Sequence, residues 1–388
     1  MAESRVYLVP DYYPAFSCKL GRCRACCCTG WPVSLSLQDY FHLLGIPCKK
    51  SLRAKLDCAL KPFPQPTEEK YAELAHRFDG DCPLRMADGR CAIHAELGES
   101  ALPNVCRLYP RAVRGEGNDE CSCANSCEAV VELLLNHEAP LSFVPCSLRF
   151  DLPRQTERTI FFESVDHEQE IRLALIRILQ NRSLAFPQRF SALWQTMRAL
   201  EPAVRRRDTA AIECLLHSPS PQPAPVQGDL PQALQSVQQI LAALAQRSAG
   251  LRVCRDHIVS IWGDDCAPET YRQSAARLEE RFPLWASFFE NLLVNHLFFT
   301  RFPFVEARWD FSEQFTALCT VYGLLRLLAV GACTGSTREG EAQQDALMDV
   351  VAGAFRVFDH TLFHRRVTPI LRDLGLTTPE EALRLTVL

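Results

Sequence analysis

Five cysteines within eleven positions pose the chemical question of this sequence. The run FSCKLGRCRACCCTGW, residues 16–31, holds Cys18, Cys23, Cys26, Cys27 and Cys28. Thiolates repel one another, so a set this crowded needs a cation or an oxidant to balance it. Soft sulfur ligands select zinc, iron–sulfur clusters or cuprous copper. Cys82, Cys91 and Cys106 follow, then Cys121, Cys123 and Cys127. Zinc fingers pair two short knuckles. Here one run is crowded and the other cysteines stand alone, which suits an iron–sulfur cofactor wrapped by several loops. Zinc stays open as the alternative. His94, three residues past Cys91, is the only histidine placed as an extra ligand, and a lone histidine reads better as structural.

Other signatures are missing. The spacing CxxxCxxC fails twice, because Cys23 and Cys27 are followed by Gly30, and Cys123 and Cys127 by Val130. No GxGxxG stands between a strand and a helix, and there is no P-loop, GxSxG or HExxH. The residues alone therefore indicate a cysteine-ligated metal domain without naming a reaction.

Of the 388 residues, 19 are cysteine, and 14 of these lie before residue 147. That density belongs to a disulfide scaffold or a metal domain. The N-terminus lacks the basic and apolar stretches of a secretory signal, and no uninterrupted apolar run is long enough for a membrane span. A cytoplasmic protein, with reduced thiols and no membrane association, is the expectation, so metal binding outranks disulfides. A net charge of −4 and a pI near 6.2 give no reason to expect nucleic acid as a partner. Oligomeric state is not readable.

The elements that must position these thiols divide in two. Residues 1–150 read as an irregular cysteine-rich domain with short helices expected at Ser36–Leu44, Glu68–Phe78 and Cys127–Asn136 and a strand at Phe143–Asp151. Residues 151–388 read as all-helical, with helices expected at Glu168–Asn181, Phe190–Ala199, Asp208–Leu216, Pro231–Arg247, Tyr271–Arg281, Pro283–Phe299, Phe311–Val330, Glu339–His360 and Pro379–Leu385. A proline-rich linker is expected at 218–231, where four prolines alternate between Ser218 and Pro225. The fold class is mainly α. Glu290, Asn291, Asn295 and His296 are polar residues at helical spacing in an otherwise apolar helix, and read as packing residues before substrate-site residues.

At these residues the chain resembles the flagellin lysine-N-methylases of bacteria. The likeness begins with VPDYYPAF and runs through Cys18, Cys23, Cys27, Cys28, Gly30 and Trp31. It continues through Cys82-Pro83-Leu84, Gly89-x-Cys91-x-Ile93, Cys106-x-x-Tyr109-Pro110-Arg111 and Ser126-Cys127-Glu128-Ala129, where the family usually shows SCPEA and this chain lacks the proline. ILQNR (178–182), ENLLVNHLFFTRFPF (290–304) and the stretch Arg356–His360 also look like the family. The N-terminal part is similar as well to the broader zinc- or iron-chelating cysteine-cluster family.

The resemblance implies methyl transfer from S-adenosylmethionine to lysine side chains of flagellin, in an enzyme carrying a four-iron four-sulfur cluster. It implies Cys18, Cys23, Cys27, Cys28, Cys82, Cys91, Cys106 and Cys127 as metal ligands, and leaves Cys26, Cys48, Cys58, Cys121, Cys123 and Cys146 as extra thiols. Trp31, Tyr109 and Arg111 are the candidates for contact with the methyl donor or cluster, and Arg107 could join Arg111 in binding the donor's carboxylate. No catalytic base is identified. The competing reading is a non-enzymatic metal-binding or redox-sensing module that docks a protein partner.

Overall fold

The computed structural model describes residues 4–24, 26–30, 33–115, 119–150, 165–218, 221–263, 265–335 and 341–388. Their first part holds strand β1 (Arg5–Pro10), strand β2 (Val33–Leu35), helices α1 (Leu37–Gly45) and α2 (Lys50–Ala59), and strands β3 (Leu60–Pro62) and β4 (Ala72–Leu74). Helices α3 (Ala92–Leu97) and α4 (Asn104–Leu108) come next, then strands β5 (Arg111–Arg114) and β6 (Glu120–Cys123), helix α5 (Glu128–Leu135) and strand β7 (Phe143–Leu148).

Two small sheets organise this part. In the first, β1 lies between β6, to which it is parallel, and β7, to which it is antiparallel, and β5 completes the other edge. The alternation in RVYLVP explains β1: Tyr7 and Val9 turn into the core while Val6 faces out. The second sheet has the antiparallel order β2-β4-β3. It corrects the helix expected over Glu68–Phe78. Ala72 and Leu74 are buried on either side of Glu73, a period of two, and β4 pairs on both edges.

The remainder is helical: α6 (Glu168–Leu179), α7 (Phe186–Arg205), α8 (Thr209–His217), α9 (Leu230–Ala245), α10 (Ala249–Trp262) and α11 (Pro268–Arg281). These are followed by α12 (Trp285–Thr300), α13 (Phe311–Gly335), α14 (Glu341–Phe358), α15 (Phe363–Asp373) and α16 (Pro379–Ala382). The class is mainly α, as the periodicity predicts. Residues 221–229 of the proline-rich stretch have no regular structure and are largely exposed; 219 and 220 lie outside the described residues. Asp229 ends the stretch by capping α9, its carboxylate accepting from the Gln232 amide at 2.8 Å.

Helix α13 is the axle of the helical part and packs against α7, α9, α10, α11, α14 and α15. Its segment Phe311–Thr334 is long and apolar enough to cross a membrane, yet all of its most hydrophobic window is buried inside the protein. A helix apolar all round is what the centre of a large core demands.

The hydrophobic cores do not divide at residue 150. Tyr7, Val9, Tyr12, Val130 and Leu134 belong to the same core as the helices, while Leu35, Leu43, Leu56, Leu84 and Ile93 form a smaller one of their own. Polar pins join the first sheet to α6 and α12. Glu120 and Arg172 form a fully buried ion pair at 2.8 Å. The Asn295 amide donates to Cys123 O at 2.8 Å and to Asn125 Oδ1 at 2.6 Å, while Tyr12 Oη donates to Asn295 Oδ1 at 2.8 Å. Glu290 binds Arg182 and Arg189, Asn291 donates to His137 O, and His296 pairs with Asp359. Glu290, Asn291, Asn295 and His296 thus all have structural partners.

Candidate metal centre

Between Phe16 and Gly30 the chain has no helix or strand among its described residues, so its shape is imposed from outside. Glu128, at the start of α5, accepts from Lys19 Nζ at 2.9 Å and from the Arg24 amide at 2.7 Å. Arg24 reaches Asp345 and Asp349 on α14. Arg356, also on α14, donates to Cys26 O at 2.8 Å and to Thr29 O at 3.0 Å. On the other side the Cys82 amide donates to Cys28 O at 2.8 Å, and Thr29 Oγ1 donates to Asp81 at 2.7 Å.

Two glycines let the loops meet. Gly21 and Gly89 have φ of +90° and +83°. A Cβ on Gly89 would sit 2.3 Å from Gly21 O, and one on Gly21 would sit 2.5 Å from the Gly89 carbonyl carbon. Gly89→Ala is therefore expected to lower stability by at least the ~1–2 kcal/mol of a left-handed L-residue, with the backbone clash adding to it. Urea unfolding checks this; an unchanged midpoint would refute the contact.

Held this way, Cys26, Cys27 and Cys28 bring their three sulfurs within 4.8 Å of one another. Cys27 Sγ and Cys28 Sγ are 4.0 Å apart, and the Cys28 amide donates to Cys26 Sγ at 3.4 Å. The Cys27 and Cys28 thiols donate toward Cys26 and hold its pKa far below that of an ordinary thiol, while their own rise. One thiolate shared by two thiols is a soft donor set that a cation completes by replacing the two protons. Cys26, which the family motif leaves out, is the buried member of this trio.

Among the described residues only these three converge at ligand distance, and the other motif cysteines are linked to them by electrostatics. Burial pushes Cys23 up to about 12, with Glu128, Cys127 and Cys18 adding to the rise. Burial also raises Cys106, helped by Cys91, Cys27 and Cys82, and raises Cys82, helped by Cys91 and Cys26. Burial raises Cys127 to about 11, with Cys18 among the contributors. All eight motif thiols thus stand within electrostatic range of one another or of the trio. Cys48 packs on the smaller core, Cys58 is exposed, and Cys121 and Cys123 are buried in β6.

Arg111 opens β5 and stacks its guanidinium over Phe16, 5.0 Å from the ring centre. It lines a cavity of about 980 Å³ together with Tyr13, Phe16, Arg107, Arg149 and Phe150. Tyr109 does not line that cavity; its hydroxyl lies 3.0 Å from Ser126 Oγ. Trp31 lies outside the described residues.

Residues 172–385, more than half of the chain, match the FliB lysine N-methylase C-terminal domain. The chain belongs to the FliB lysine N-methylase family. Among its relatives is a lysine-N-methylase of Salmonella choleraesuis, 28% identical over 136 residues, which are 33% of this chain and 32% of that protein. The match to the lysine-N-methylase of Salmonella typhimurium is 27% identical over the same shares. The flagellar biosynthetic protein FliU of Salmonella muenchen is 26% identical over 136 residues, 75% of its length. The chain thus covers about a third of the two lysine-N-methylases. No solved structure matches it. The match to the FliB lysine N-methylase C-terminal domain begins at Arg172, the residue whose buried pair with Glu120 ties α6 to the first sheet.

Proposed function

We propose that this protein is an S-adenosylmethionine-dependent protein-lysine N-methyltransferase acting on flagellin, with a cysteine-held four-iron four-sulfur cluster. The observation that carries the reading is the match of residues 172–385 to the lysine N-methylase domain. The name of the FliU relative supports a flagellar substrate.

The donor set fits the metal. Cys26, Cys27 and Cys28 would hold it, with Cys18, Cys23, Cys82, Cys91, Cys106 and Cys127 around them. One cubane takes four thiolates, so the others would shield it or hold a second ion. When bound, such a cluster supplies redox-active iron and a counter-charge for the thiolates. The cavity beside β5 falls in the size range of small-molecule sites, and its residues fit the methyl donor. Arg111 and Arg107 would bind the donor's carboxylate, and Tyr13 and Phe16 would offer aromatic faces. The lysine ammonium has no lone pair, so it must lose a proton before its nitrogen attacks the sulfonium methyl group in line.

Co-expression with flagellin followed by mass spectrometry of the flagellin tests the reading. Lysines heavier by one methyl group are expected, and their absence would sink it. Anaerobically purified protein should be brown and contain iron; a colourless zinc protein would select the other metal.

A further inference from the structure

Two cysteine-bearing segments, far apart in the chain, meet at the end of α14. The first is the run that holds Cys26, Cys27 and Cys28. Its carbonyls at Cys26 and Thr29 accept from the two terminal nitrogens of Arg356, at 2.8 Å and 3.0 Å. The second is the turn between β6 and α5, which leads into Cys127. There the Asn125 amide donates to Asp359 Oδ2 at 2.8 Å, and Ser126 Oγ lies 2.8 Å from His360 Nε2. The Asp359 amide donates to Phe355 O at 2.9 Å, so helical winding runs on past Phe358. Arg356, Asp359 and His360, three and four positions apart, therefore share one side of the helix.

The helix is firmly seated. Val351, Ala352, Ala354, Phe355 and Phe358 are buried in the core, and the rings of Phe355 and Phe358 meet edge to face with their centres 5.4 Å apart. The Asp359 carboxylate is fully buried and pairs with His296 on α12 at 2.7 Å. The turn is tied to α12 as well, Asn125 Nδ2 donating to Leu292 O at 2.9 Å. The cysteine run has no such frame. Glu128 holds only its earlier part, at Lys19 and the Arg24 amide, and Cys82 and Asp81 hold the far side, at Cys28 O and Thr29. What reaches the trio from the helical part is Arg356.

We propose that the end of α14 is a clamp that fixes the cysteine trio against the Cys127 turn, with Arg356 and Asp359 as its positioning residues, an inference that rests on the metal-centre reading above. A cation is held tightly when its donor segments already stand at the right separation, because ordering them on binding costs conformational entropy. Arg356 grips two backbone carbonyls and Asp359 a backbone amide, so the clamp sets where these segments run without engaging a sulfur. The planar guanidinium fork suits two carbonyls at once, which a compact ammonium does not. The two ends act in series. Releasing either one uncouples the segments, and releasing the second then has little left to undo.

The test follows metal release from full-length, anaerobically purified protein into a chromogenic chelator of iron or zinc, whichever the wild type carries. Arg356→Gln and Asp359→Asn should each speed release about 10–100-fold, the range over which groups that orient metal ligands change affinity. Arg356→Lys, which keeps the cation but not the fork, should fall between Arg356→Gln and wild type. The double variant Arg356→Gln with Asp359→Asn should release metal no more than about twice as fast as the faster single one. Gln344→Ala, at an exposed position of the same helix, should behave as wild type. Circular dichroism checks the fold of each variant, and Ser126→Ala, which removes the contact with His360, replaces Asp359→Asn if that variant does not fold. Release at the wild-type rate from either single variant, or a double variant whose acceleration approaches the product of the two, would overturn the clamp and leave the metal-centre reading standing. A wild-type protein that carries no metal would remove both.

Discussion

Serine at both Cys27 and Cys28 should leave the anaerobically purified protein with less than a tenth of the wild-type metal, whereas Cys48→Ser should retain all of it. The three sulfurs of residues 26–28 lie within 4.8 Å of one another, so the double substitution removes two of three convergent soft donors. A serine hydroxyl does not ionise near neutral pH and is a hard ligand, so it replaces neither the charge nor the softness. Structural zinc sites in zinc-finger peptides are worth ~10–16 kcal/mol of apparent binding energy, and because metal binding couples to folding, losing most of the donor set should also lower Tm. Cys26→Ser alone should cost nearly as much, although Cys26 falls outside the family motif. That variant separates geometry from motif, because a ligand set limited to the eight motif positions predicts no loss. Elemental analysis and the visible spectrum read all three variants; full metal content in the Cys27/Cys28 variant would refute the assignment.

Glu290→Ala should destabilise the fold by about 3–5 kcal/mol, the range for stripping one partner from a buried ion pair. Glu290 is fully buried on α12 and lies 2.9 Å from Arg182 Nη2 and 2.7 Å from Arg189 Nη1. Arg182 has a route to water, but Arg189 is 5% exposed and burial already depresses its pKa. Without the carboxylate, Arg189 is left with two carbonyl acceptors, Leu184 O and Leu179 O, and no counter-charge. Replacing both partners by apolar residues of similar volume, Glu290→Leu with Arg189→Met, should recover much of the loss. Urea unfolding of the single and double variants measures the difference. A single variant as stable as wild type would mean that water reaches Arg189.

The helices were legible where one face is apolar and the opposite face polar. Ile171, Leu175, Ile178 and Leu179 define α6 at sight, and the structure buries all four. Helices α10 and α15 escape such a reading. Leu251, Cys254 and Ile258 form a narrow stripe interrupted by arginines, and in α15 Pro369 interrupts the spacing of Phe363, Val367 and Leu371. In the sequence the three-residue strands are too short for a period of two to stand out, and pairing with both neighbours is what makes β4 a strand. In the candidate site, cysteine density located the region, but spacing could not rank Cys26 above its neighbours, because backbone direction within a run of three decides which sulfurs converge. The contacts of Ser126 with Tyr109 and His360 had no local signal, since the partners are 17 and 234 residues apart.

Arg356 sets the order in which this molecule can be completed during synthesis. The cysteine run leaves the ribosome well before α14, because the guanidinium that fixes the carbonyls of Cys26 and Thr29 belongs to a residue 330 positions after Cys26. Asp345 and Asp349, which anchor Arg24, arrive almost as late. At ~5–20 residues per second, tens of seconds separate the thiols from the groups that arrange them. Until then the run has only its contacts with Glu128, Asp81 and Cys82, and its thiols stand open to oxidation and to whichever thiophilic ion arrives first. Loading the intended centre is therefore a task for a chain already made past α14, and a nascent or truncated chain ending before α14 would present the same cysteines without the same site.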